Sequence, residues 1–255
     1  MNHVFRFRSG TGTGVGLVLL VLFMTGCASS PHTWTVRTSS TPFPPSSDLA
    51  SIGQEVVALF TPLAPVPLRG NEAGLGLYLD GAIKKVAPTW KIIDEQQTIN
   101  LINRHGLAGE YARLREGAEQ SHILDRELLQ KIGKSIGARY VFQPRLAYIS
   151  QTMTDRWKIP VVDVRILQTR SAHMRLSLQL WDTVNGELIW SSAAETALQS
   201  EAVTQDPVFI EDAARITLGS MLADLLNRET SSRYTGLNQL PGGKPDQRQD
   251  EGYRK

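Results

Sequence analysis

One thiol stands out among the residues able to do chemistry. Cys27 is the single cysteine in 255 residues and follows Met24-Thr25-Gly26. Small residues at 25 and 26 let a peptidase approach the backbone, and the thiol that follows is a nucleophile suited to taking up an acyl group. A lone cysteine excludes an intrachain disulfide and a cysteine-based zinc site. The five histidines are His3, His32, His105, His122 and His173, and none has a second histidine or a carboxylate at a metal-ligand spacing such as i, i+4. Ser121, His122 and Asp125 have the residue types of a nucleophilic set. Adjacent residues point apart, however, no Gly-x-Ser-x-Gly elbow is present, and Asp125 is placed to cap a helix. Asp94 with Glu95, and Glu116 with Glu119, are the candidate acid pairs, and each falls at a helix start or on a solvated helix face. The glycines between Gly10 and Gly16 follow no strand, so they do not form a phosphate-cradling loop. The expectation is a chain without catalytic residues, metal or cofactor.

Charge is uneven in one region. Between Arg139 and Arg175 lie Arg139, Arg145, Arg156, Lys158, Arg165, Arg170 and Arg175 against Asp155 and Asp163, with Tyr148 and Trp157 among them. Arg145, Arg156, Lys158, Arg165 and Arg175 are the candidate docking residues for an acidic partner, an anionic lipid or a cell-wall polymer. The simpler reading is a solvated face whose long side chains cover a sheet. Away from this strip the charge balances. The net charge of +2 disappears once Arg6 and Arg8 are removed with the N-terminal segment. A neutral body gives no general reason to expect nucleic acid.

Residues 1–26 read as an export signal, with a positive start at Arg6 and Arg8 and an apolar run from Val15 to Met24. Ten residues make roughly 15 Å of helix, about half of a hydrocarbon core, which is too short for a permanent span. Together with Met24-Thr25-Gly26-Cys27, this segment resembles the lipobox of bacterial lipoproteins. The resemblance implies that Cys27 becomes the acylated first residue and the link to membrane lipid. Several acyl chains on one cysteine anchor stably where one alone binds reversibly. In such lipoproteins an Asp after the cysteine favours inner-membrane retention. Ala28-Ser29 here therefore implies the outer membrane, facing the periplasm.

The elements follow from pattern and caps. Residues 27–48, rich in Ser, Thr and Pro, read as a flexible tether. Residues 49–227 have the pattern of a single globular domain. Within it, 55–60 is a short apolar strand closed by Pro62, Pro65 and Pro67. Asn71 is placed to cap a helix ending at Val86, and 90–93 is a second strand. Asp94 caps a helix to Arg104. Tyr111, Leu114 and Ala118 mark a further helix, and Asp125 caps another that Gly137 ends. A third strand covers 138–142, and Pro144, which cannot donate to a ladder, makes that strand an edge or a bulge. Met174, Leu176, Leu178 and Leu180 alternate with polar residues. Asn185-Gly186 supplies two positive-φ positions for a tight turn, and Leu188 and Trp190 resume the alternation. A helix from Pro207 carries a broad apolar stripe. Residues 228–255 read as a disordered polar tail.

This order indicates an α+β fold with α/β-like layers, a mixed β-sheet with a long C-terminal hairpin and helices packed on it. Two runs, Lys131-Ile132-Gly133-Lys134-Ser135-Ile136-Gly137-Ala138-Arg139-Tyr140-Val141 and Leu180-Trp181-Asp182-Thr183-Val184-Asn185-Gly186-Glu187-Leu188-Ile189-Trp190, carry a further resemblance. They are similar to the helix-to-strand junction and the hairpin of the CsgG, LpoB and TolB N-terminal-domain-like superfamily of periplasmic lipoproteins. The resemblance implies a non-enzymatic, protein-binding and regulatory module in cell-envelope assembly, for example one that activates a peptidoglycan synthase. Its partner would be an envelope protein. The alternative it implies is a subunit of an oligomeric outer-membrane secretion channel, which needs strands of about 9–11 residues to cross a bilayer.

Overall fold

Apolar side chains in the central strands alternate between two faces, and both faces are covered near the start of the domain. The computed structural model describes residues 32–44, 49–159, 164–202 and 208–237. Within them the strands are β1 (His32–Ser40), β2 (Val56–Leu59), β3 (Lys91–Ile93), β4 (Tyr140–Ile159), β5 (Val164–Asp182), β6 (Glu187–Ala202) and β7 (Ser231–Leu237). The helices are α1 (Leu49–Gln54), α2 (Leu75–Val86), α3 (Glu95–Arg104), α4 (Ala108–Ser121), α5 (Arg126–Ile136) and α6 (Ile210–Asn227). The strands make one mixed sheet in the order β3-β2-β4-β5-β6-β1-β7. β2 is parallel to both β3 and β4, and the remaining pairs are antiparallel. The fold is α+β, as the pattern indicates.

Val57 and Leu59 face one core with Phe142, Leu146, Leu176 and Leu178, covered by α2 and α6. Ala58 and Phe60 face the second with Val141 and Trp181, covered by α3, α4 and α5. α6 is buried on nearly all sides, from Ala213 to Leu225, because the sheet lies beneath it and α2 beside it. Asp94 and Asp125 cap α3 and α5 by accepting from the amides of Gln97 and Leu128. Gly137 ends α5 at φ 70°.

Several expectations are corrected. Residues 32–40, read as part of the tether, form β1, and residues 231–237, read as part of the tail, form β7. α2 begins after Gly74 rather than at Asn71, whose side-chain amide donates to the Leu68 carbonyl instead. The hairpin between β5 and β6 closes through a four-residue loop, and only Gly186 has positive φ there. The Asp182 carboxylate accepts from the amides of Val184 and Asn185, so the side chain shapes the loop and Asn185 needs no left-handed backbone. A register shift at Leu180/Trp181 leaves Leu188 exposed while Trp190 is buried. Pro144 lies inside the sheet. Its missing donor faces the gap between the end of β2 and Leu63, where Gln143 Nε2 donates to the Thr61 carbonyl.

Candidate docking face

The two terminal strands extend the sheet beyond the helices α3–α5, so one of its faces is uncovered there. On β1 the residues Trp34, Val36, Thr38 and Ser40 alternate with Thr33, Thr35, Arg37 and Ser39, and Val36, Thr38 and Ser40 are buried while Thr33, Arg37 and Ser39 are exposed. β-Branched and small residues suit a strand buried on one side only. The uncovered face continues through Arg175 and Ser177 on β5, Ala193 and Glu195 on β6, and Ser231 and Arg233 on β7, all exposed or half-buried. It is built mainly of Ser, Thr, Ala and Gln.

Register places one charged row across it. Arg175 lies opposite Glu195, Glu195 opposite Arg37, and Arg37 opposite Arg233. Arg175 and Glu195 pair at 3.2 Å with both side chains more than half exposed, which makes the pair a weak contribution to stability. Arg37 and Arg233 have no carboxylate partner among the described residues. Two like charges directly opposite each other on neighbouring strands, roughly 5 Å apart at Cβ, repel unless an anion lies between them.

The docking residues inferred from sequence separate into three groups. Arg175 lies in this row. Arg145 shares its face but is turned inward, and its guanidinium donates to the Ala118 carbonyl and, at 3.5 Å, to that of Glu119. It therefore closes the C-terminal end of α4, and burial lowers its pKa. Arg145 is thus corrected from a docking residue to a structural one. Arg156, Lys158 and Arg165 belong to the outer part of the β4–β5 hairpin, with Lys158 opposite Arg165, and their side chains lie outside the described residues. Cys27 also lies outside them. Arg37 and Arg233 escaped the sequence reading because their segments were read as tether and tail. The alternation Thr33-Trp34-Thr35-Val36-Arg37 was the available signal.

The terminal strands are fastened from beneath. Asp224 of α6 is fully buried and accepts from the Tyr234 hydroxyl of β7 and, at 3.2 Å, from Ser40 of β1. Ser40 lies 2.9 Å from Ser192 of β6. One carboxylate thus fastens β1 and β7 to α6. Burial, and then Asp224, push the Tyr234 phenol above its ordinary pKa.

Residues considered for catalysis occupy structural positions. His105 and His122 are the C-caps of α3 and α4. Ser121 Oγ donates to the Gly117 carbonyl, and Asp125 caps α5. Glu95, read as lying at a helix start or on a solvated helix face, is half-buried against Gly76 of α2. Burial raises its pKa, opposed by a hydrogen bond from Thr61 and by Arg115. No cluster of three or more metal-ligating His, Cys, Asp or Glu side chains occurs among the described residues.

No family model and no curated protein matches the chain. Among solved structures, the chain is similar to the PelC dodecamer protein of Paraburkholderia phytofirmans, at 15% identity and TM-score 0.37 over 74% of this chain and 96% of that one. It is also similar to lipoprotein GNA1162 of Neisseria meningitidis, at 13% identity and TM-score 0.39 over 68% and 96% of the two chains. The LpoB C-terminal domain of Salmonella enterica shows 19% identity and TM-score 0.33 over 55% and 81%.

Proposed function

We propose that this chain is a lipid-anchored lipoprotein of the bacterial outer membrane, facing the periplasm, that binds an envelope protein and catalyses no reaction itself. The lipobox-like segment ending at Cys27 supports the anchor, and Ala28-Ser29 supports the outer membrane. The observation that carries the binding role is the uncovered face, where Arg37, Arg175 and Arg233 are set in one row of the sheet against the single acid Glu195. Such a row suits an acidic protein surface, with charge setting register and on-rate. Activation of a peptidoglycan synthase is one specific form of this role.

Photo-crosslinkers placed at 37, 175 and 233 in cells test it. Crosslinks to one envelope protein are expected from these positions but not from Lys84, whose exposed side chain lies on the helix-covered side. Recovery of soluble substrates alone, or equal crosslinking from Lys84, contradicts the proposal. No helix among the described residues is long and apolar enough to cross a membrane.

A further inference from the structure

β7 ends the sheet, and among the described residues it pairs with β1 alone, over Ser231–Leu237. Its hydrogen bonds show which backbone groups this pairing leaves over. The Ser40 amide donates to the Thr230 carbonyl at 2.8 Å, and the Ser232 amide donates to Thr38 Oγ1 at 3.1 Å. Antiparallel bonding repeats at every second residue. The amides and carbonyls of Ser232, Tyr234 and Gly236 therefore point to β1, and those of Ser231, Arg233, Thr235 and Leu237 point away from the sheet. These outward groups line an edge of seven residues without a proline, about 24 Å long. Such a row is a template for another extended chain.

The edge is fastened to the body at two points. The Tyr234 hydroxyl bonds Asp224 of α6, and the Trp34 indole lies so close over Gly236 that a Cβ there would collide with it. A strand held in this way is extended before a partner arrives, which lowers the ordering cost of strand addition. Charge selects the occupant. Arg233 stands beside Arg37 on the uncovered face, and neither has a carboxylate partner among the described residues. A side chain of an added strand directly opposite Arg233 lies about 5 Å from it at Cβ, so a carboxylate there relieves the opposed pair of arginines. A second copy of this chain would do the reverse. With β7 laid antiparallel on β7 in full overlap, Ser231 opposes Leu237 and the two copies of Arg233 become diagonal neighbours, about 7–8 Å apart. Arg233 thus guards the edge against its own kind and against basic strands.

We propose that the outer edge of β7 receives an extended acidic segment of the envelope partner, added to the sheet as a further strand with a carboxylate beside Arg233. This rests on the docking face proposed above and specifies how the partner engages it. The full chain tests it with a synthetic heptapeptide of alternating valine and glutamate, beside a valine–lysine counterpart. The acidic peptide is expected to bind about tenfold or more tightly than the basic one. It should slow hydrogen exchange at the amides of Arg233 and Thr235, whereas those of Tyr234 and Gly236 are slow already. Thr235→Pro removes an outward donor and leaves the pairing with β1, and it should weaken the acidic peptide by about tenfold. Arg233→Glu keeps every backbone group and should reverse the preference between the peptides. Binding without added protection at 233 and 235, or undiminished binding to a Thr235→Pro chain that melts at the natural temperature, overturns strand addition and leaves the docking face intact. Failure of both peptides to bind, or a dimer of this chain that Thr235→Pro dissociates, also overturns it. Absence of envelope-protein crosslinks from 37, 175 and 233 removes the docking face and this proposal together.

Discussion

The Asp224 carboxylate holds hydroxyls from both terminal strands in a site without solvent. Removing it leaves the Tyr234 and Ser40 donors buried and unpaired, at about 1–3 kcal/mol. Asp224→Ala is therefore expected to lower the thermal midpoint by roughly 4–10 °C, with Tyr234→Phe costing less, as calorimetry would show. In sequence Asp224 is one polar residue in an apolar stripe, and its partners lie 184 residues upstream and 10 downstream. No local pattern connects them. Glu95 carries a pH effect. Its folded pKa is raised above the ordinary 4.5, chiefly by burial, so the native state holds that proton more tightly than the unfolded chain does. Stability from this group is complete below 4.5 and falls as pH rises through the raised value. Denaturant titrations across that window should show a shallower decline for Glu95→Gln than for the natural chain.

At the scale of elements, helix ends were the most legible part of the sequence. Asp94, Asp125 and Gly137 work locally, through their own neighbours in the chain, and the structure uses all three as read. β1 and β7 were hidden for the converse reason. Ser231-Ser232-Arg233-Tyr234 buries a single large side chain, and its strand exists through pairing with β1 and the bond to Asp224, neither of which is local. Arg145 shows the same limit, since its charge was visible but the α4 carbonyls that claim it were not. Arg145→Ala should accordingly destabilise the domain by about 1–2 kcal/mol. Arg37→Ala and Arg233→Ala should leave the midpoint nearly unchanged and weaken partner crosslinking. The contact between α5 and the β5–β6 loop is closer still. A Cβ at Gly133 would lie 2.3 Å from Thr183 Cβ, and Thr183 Oγ1 donates to the Ala138 carbonyl at 2.7 Å. Gly133→Ala is expected to cost about 1–3 kcal/mol by overpacking, measurable in urea.

For the whole molecule, the start of β1 bears on the anchor proposed at Cys27. A strand beginning at His32 leaves five residues of chain after Cys27, at most about 18 Å when fully extended. The thiol and the apolar N-terminal run were legible in the sequence, whereas the length of chain before the first strand was not, because strand pairing sets it. The most direct measurement is intact mass and membrane fractionation of the natural chain beside Cys27→Ser. The account predicts fatty acid on Cys27, recovery of the natural protein with outer membranes, and release of the variant to the soluble fraction. A natural chain without fatty acid, or a variant that stays equally particulate, would contradict it.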